Sequence, residues 1–253
     1  MKKRIIFKLY YINQFFYLSR NFNLQKVGNI EWLYKYFNFK KITDSIDELV
    51  ILNVEKEKKA PRLSHEFIIN LKKLSEKTFI PLTIGGGINN LEKIKQCFSL
   101  GAEKILFNSS IINKNLIKNS VKRYGSQAII CSIDYKKIDN NLITYINNGQ
   151  SKFLEIKKHI NLAKKLKFGE IFLNNIDRDG TGFGINKEIY EYIDNKLPYV
   201  LGGGAAKYQH FVECFNQRYV SGISTGNLFN FIGDGLKNLR LNLVKSNVNL
   251  RKL

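Results

Sequence analysis

A chain of 253 residues with 44% hydrophobic residues can bury a large core, and no Pro/Gly/Ser-rich stretch divides it, so it reads as one domain spanning residues 1–253. Three scattered cysteines, Cys97, Cys131 and Cys214, supply neither a disulfide framework nor a zinc site and point to a reducing cytosol. The net charge of +20, from 41 Lys and Arg against 21 Asp and Glu, fits a nucleic-acid partner, an anionic ligand or a bias toward Lys, Asn and Ile. The basic residues run along helices, as at Lys157–Lys158 and Lys164–Lys165, and form no arm with interleaved aromatics, which disfavours nucleic acid.

Met1 to Arg20 has the basic head and apolar run of a signal peptide, but Lys8 interrupts the run and no small-residue cleavage site follows. The segment reads instead as a strand from Arg4 to Tyr11, followed by a helix over Asn29–Lys40. A strand over Glu48–Val54 leads to a helix over Phe67–Lys77, Pro81–Gly86 to Leu91–Leu100, and Glu103–Asn108 to Asn113–Tyr124. In the second half, strands over Gln127–Asp134, Glu170–Asp177, Tyr199–Gly203 and Val220–Gly226 alternate with helices over Phe153–Leu166, Lys187–Asn195, Tyr208–Gln217 and Gly235–Lys245. No stretch reaches the roughly 18 apolar residues of a membrane helix, so a soluble, cytoplasmic protein is expected.

Eight strands, each followed by a helix, describe an α/β chain closed as a (β/α)8 TIM barrel. An open Rossmann sheet fits less well, because no isolated GxGxxG follows the first strand. The halves also repeat: Gly85-Gly86-Gly87 precedes Gly202-Gly203-Gly204 by 117 residues, and Asn108-Ser109-Ser110 precedes Gly226-Asn227-Leu228 by 118.

Glycine tracts at the C-terminal ends of strands let backbone N–H groups approach a phosphate without a side chain intervening. Each tract alone reads equally as a tight turn; two at matching offsets read as two cradles for a bisphosphorylated ligand. The expected contacts are Gly86, Gly87, Asn108, Ser109, Asp179, Gly180, Gly203, Gly204, Gly226 and Asn227. Asp179 and Gly180 belong to Ile176-Asp177-Arg178-Asp179-Gly180-Thr181, a ligand-facing loop; a calcium loop would need a downstream Glu that is missing. His65, His159 and His210 lack ligand spacing, so no metal and no cofactor are expected.

Gly85-Gly86-Gly87-Ile88, Gly125-Ser126-Gln127-Ala128, Ile133-Asp134 and Ile176-Asp177-Arg178-Asp179-Gly180-Thr181 resemble the cyclase subunit of imidazole glycerol phosphate synthase, over essentially the whole chain. The resemblance implies a barrel that takes ammonia from a glutaminase docked at its floor. The ammonia is used at the mouth to cleave and cyclise a phosphoribulosyl intermediate of histidine synthesis. Two carboxylates carry that acid-base chemistry; Asp134, ending the apolar run Ile129–Ile133, matches one of them, and Tyr10 stands where the other belongs. A further acid falls on Asn53, and a lysine of the first loop falls on Leu18.

Arg4, Glu48, Lys104 and Glu170, at strand starts, match the four charged residues of the family's ammonia gate. An entrance without the strand-one acid resembles a divergent branch associated with surface polysaccharides, where barrel and glutaminase supply ammonia to a separate amidotransferase making acetamidino sugars. The expected partners are therefore a glutaminase, a sugar amidotransferase and a phosphorylated small molecule. A functioning cyclase and a basic nucleic-acid-binding barrel are the alternatives.

Overall fold

The computed structural model describes residues 2–36, 42–55, 63–77, 79–226 and 234–251. Among the described residues twelve strands form one sheet, and eight of them close on themselves in parallel. These are β1 (Arg4–Ile12), β4 (Glu48–Asn53), β5 (Leu82–Gly85), β6 (Ala102–Phe107), β7 (Ile129–Ile138), β10 (Glu170–Asn175), β11 (Tyr199–Gly202) and β12 (Val220–Thr225), with β12 returning to pair β1. Between them run α1 (Ile30–Tyr36), α2 (His65–Lys77), α3 (Leu91–Ser99), α4 (Lys114–Tyr124), α5 (Ile156–Lys165), α6 (Tyr208–Phe215) and α7 (Gly235–Lys245). The chain is a (β/α)8 barrel, as the alternation predicts. No described helix is long and apolar enough to cross a membrane.

The remaining four strands were not expected. β2 (Phe15–Arg20) and β3 (Asn23–Gly28) fold back antiparallel from β1, and β8 (Asn141–Ile146) and β9 (Ser151–Glu155) fold back from β7. Their tight turns pass through Asn13–Gln14, Asn21–Phe22, Asp139 and Asn147–Asn148, all at positive φ. None of these left-handed positions carries a glycine, so the usual hairpin signal is weak in the sequence. Both excursions leave the first strand of a half-barrel, which extends the two-fold repeat beyond its glycines.

Two helix expectations need correction. Phe153 to Glu155 belong to β9, where ladder pairing overrides the helical pattern, and the helix starts at Ile156. The segment Lys187–Tyr192 is a 3-10 helix, begun by the Asn186 side chain accepting from Glu188 N, not an α-helix to Asn195. The first helix is described over Ile30–Tyr36, and residues 37–40 of the expected span lie outside the described residues.

Strand alternation places a column of side chains along the barrel axis. On β1 the inner face reads Arg4, Ile6, Lys8, Tyr10. Ile6, Val50, Leu106, Ile130, Phe172 and Val200 form a separate apolar cluster inside the barrel, with Leu52 packed on it. At about 2 kcal/mol per buried side chain this layer contributes strongly to closure. The larger core lies between the strands and the helices, built on residues such as Ile5, Phe7, Leu9, Ile94, Ile117 and Leu243.

Candidate functional site

Below the apolar layer, at the strand starts, Arg4, Glu48, Lys104 and Glu170 meet in a closed ring. Arg4 contacts Glu48 at 2.5 Å and also Glu170, while Lys104 Nζ stands 3.1 Å from Glu48 and 3.3 Å from Glu170. Each cation therefore touches both anions. Thr83 donates to the free oxygen of Glu48 at 2.6 Å and Ser221 to Glu170 at 2.7 Å, satisfying lone pairs that burial would otherwise strand. Burial alone would raise the Glu170 pKa, but Arg4 and Lys104 hold it below the ordinary value, so this carboxylate stays charged.

Above the layer, β1 and β7 bring Tyr10 and Asp134 to the mouth. Asp134 receives the Asn108 amide at 3.2 Å and the Asn174 amide at 3.2 Å. Burial raises its pKa to about 6, against the pull of Lys8 and the Asn174 hydrogen bond. A carboxyl poised there serves either as acid or base near neutrality. Burial and the Asp179 carboxylate hold the Tyr10 phenol above its ordinary value despite Lys8 nearby. It remains a protonated hydrogen-bond donor and not a base.

The two glycine tracts end β5 and β11, which are separated in the barrel by β12, β1 and β4, and open on the same mouth. Gly86 has φ +85 and a Cβ there would lie 1.8 Å from Asn53 O; Gly203 has φ +88 and its Cβ would lie 2.3 Å from Asn175 O. Only glycine fits either turn. The match extends to the neighbours, since Asn53 Oδ1 accepts from Glu55 N at 3.0 Å and Asn175 Oδ1 from Asp177 N at 2.9 Å. Asn53 thus builds a turn whose twin occurs in the second half. Gly180 packs on the β2–β3 hairpin, where a Cβ would lie 2.1 Å from Ser19 O.

Two cavities at the mouth are lined by the expected ligand residues. One, of about 570 Å³, is lined by Tyr10, Asp134, Gly86, Gly87, Asn108 and Ser109, with Glu55, Phe22 and Leu24 among its other walls. The other, of about 20 Å³, is lined by Lys8, Asp179, Gly180, Gly203, Gly204 and Gly226, and shares Tyr10 and Ser19 with the first. The structure thus groups the expected ligand residues by half, although it turns the Asn108 amide toward Asp134 and engages Ser109 Oγ with Asn147 N at 2.8 Å. Asn227 lies outside the described residues. Arg178 of the expected loop donates to the carbonyls of Phe183, Gly184 and Ile185, holding the loop's shape.

Lys8, Asn174, Ser19 and Ser224 were missed as site residues. Lys8 could have been found: it sits four residues after Arg4 on a strand, hence on the same inward face. Ser19 depends on an unrecognised hairpin and carried no signal. His159 is buried, its pKa lowered to about 4 by burial, with Nδ1 3.0 Å from Thr144 Oγ1, a packing role. Among the described residues no group of three or more His, Cys, Asp or Glu could hold a metal ion.

A family described as histidine biosynthesis protein matches residues 32–233. A protein of Parasynechococcus marenigrum, named provisionally as imidazole glycerol phosphate synthase subunit hisF2, is 38% identical over 240 residues, 93% of this chain and 88% of that protein. The imidazole glycerol phosphate synthase subunit HisF of Chlorobaculum parvum is 31% identical over 82% of each chain, and that of Chloroherpeton thalassium 30% over 90% of each.

Proposed function

We propose, on the premise that this chain belongs to the histidine biosynthesis protein family and is related throughout to the HisF subunit of imidazole glycerol phosphate synthase, that it serves a glutamine amidotransferase system as an ammonia-receiving barrel. In this reading a glutaminase docks at the floor and the four-charge ring admits ammonia. The apolar layer passes ammonia in its neutral form, because a bare ammonium would lose its hydration there. The mouth holds a bisphosphorylated ligand on Gly86, Gly87, Asn108 and Ser109 in one half and on Asp179, Gly180, Gly203, Gly204, Gly226 and Asn227 in the other.

The observation that carries the reading is the pairing of a complete charged ring with Tyr10 at the end of β1. Asp134, with its pKa near 6, supplies one acid-base group; the Tyr10 phenol supplies no second base. Two-carboxylate catalysis with one carboxylate loses several orders of magnitude in rate. The ammonia then serves a separate amidotransferase making an acetamidino sugar for a surface polysaccharide.

The second reading is a working cyclase of histidine biosynthesis, favoured by relatives that carry the HisF name at 30–31% identity over most of their length. One assay separates the two: purified protein, ammonium and the phosphoribulosyl intermediate of histidine synthesis. Turnover about a thousandfold or more below ordinary enzymatic rates is expected. Turnover at an ordinary rate, around 1 to 10 per second, establishes the cyclase instead.

A further inference from the structure

Lys8 has no role in the proposed function, and its place is unusual for a lysine. It is 5% exposed, on the inner face of β1 directly above the apolar layer. A buried ammonium persists only when its charge is compensated. Here Asp179 Oδ1 and Asn174 Oδ1 each lie 3.1 Å from Nζ, and the Tyr10 ring centroid lies 5.2 Å away. Burial alone would lower its pKa, yet Asp179, assisted by Tyr10, holds it above the ordinary lysine value. The charge is therefore permanent at physiological pH.

That ammonium lines the small cavity of the C-terminal half, and none of the other described residues lining it is positively charged. In the same walls three buried oxygens have no hydrogen-bond partner: Ser19 Oγ, Ser224 Oγ and Asp179 Oδ2. Each such atom has given up its hydration without a replacement partner while unmatched. Three in one small cavity mark a place built for a polar guest. Two hydroxyls able to donate, beside an ammonium and a ring of glycines, favour a guest rich in acceptors. The large cavity differs, since its described lining residues include Glu55 and Asp134 but no Lys, Arg or His.

We propose that Lys8 is the specificity-determining cation of the mouth, selecting an ionised phosphate group for the cradle of the C-terminal half. The assignment rests on the two-cradle reading and adds to it an asymmetry: among the described residues no cation lines the cavity of the other cradle, where the buried Lys93 instead donates to the Gly87 carbonyl at 3.0 Å. Ser19 and Ser224 donate to phosphate oxygens. Asp179 holds Lys8 through Oδ1, and its Oδ2 accepts from a protonated phosphate oxygen or a hydroxyl of the ligand. The Asp179 charge opposes the guest and Lys8 offsets it, so affinity depends on Lys8 more than on Asp179.

The test is a titration of the ¹⁵N-labelled full chain with inorganic phosphate, following the backbone amides of Gly180, Gly203 and Gly204 separately from those of Gly86 and Gly87. In the parent both sets shift saturably. Lys8→Met is expected to raise Kd at the first set by about tenfold or more, the weight of one charge-assisted hydrogen bond, and to leave the second set within about twofold. Because Lys8→Met strands the Asp179 carboxylate and can unfold the chain, Asp179→Asn and the double variant are measured beside it. Asp179→Asn alone keeps or tightens binding at the first set, and the double variant loses it. Parent affinity at the first set in a folded Lys8 variant overturns the assignment, as does loss in Asp179→Asn equal to that in the double. Saturable shifts absent from both sets in the parent overturn the two-cradle reading itself.

Discussion

The floor and the mouth of this barrel are made by the same strands a few residues apart, yet they treat a buried carboxylate in opposite ways. At the floor, Glu170 lies between Arg4 and Lys104 and its pKa is pushed down. At the mouth, Asp134 has amides for neighbours, and burial pushes its pKa up to about 6. The floor therefore holds fixed charge in a closed ring, while the mouth holds a group that exchanges its proton near neutrality. A gate needs the first property and a reacting or binding site the second. The apolar layer between them keeps the two electrostatic environments apart.

The sharpest way to break this contrast is to open the ring. Arg4→Ala leaves Glu48 and Glu170, with side chains only 3% and 7% exposed, sharing Lys104 alone. Removing one partner of a buried ion pair costs about 3 kcal/mol or more. Urea denaturation of the variant at pH 7 is expected to show that loss, and a change near zero would mean that the ring is not a coupled unit.

At the mouth the expected effect is smaller and of the opposite sign. Asp134 binds its proton more tightly in the native protein than at the unfolded value of 3.8, so its ionisation above pH about 6 costs stability. Asp134→Asn should therefore gain on the order of 1 kcal/mol at pH 8. The gain should shrink as pH falls through about 6 and vanish below about 4, where both states are protonated. Denaturation midpoints of parent and variant between pH 4 and pH 8 check this; a constant difference would place Asp134 in an ordinary, solvated setting.

The barrel itself was legible in the sequence because parallel strands and amphipathic helices have different periods, and because its two glycine tracts repeat. The floor ring was legible only through family resemblance: four charges at strand starts are unremarkable until the strands close and bring them together. The hairpin extensions were hidden, since Asn and Asp at left-handed positions replaced most of the glycines that announce such turns. Lys8 was visible as a charge in an apolar run, but its partners Asn174 and Asp179 stand 166 and 171 residues away, a distance that no local pattern spans.

The central claim is that the floor passes ammonia from a glutaminase while the mouth no longer performs ordinary cyclisation. Its most direct test is co-purification with a glutaminase encoded nearby, followed by glutamine hydrolysis and downstream amidation measured with the parent and with Lys104→Ala. Lys104 is chosen because it touches both Glu48 and Glu170. The account predicts a complex at micromolar concentrations, amidation coupled to hydrolysis in the parent, and hydrolysis uncoupled from amidation in the variant. No complex, or a variant that couples as well as the parent, would contradict it.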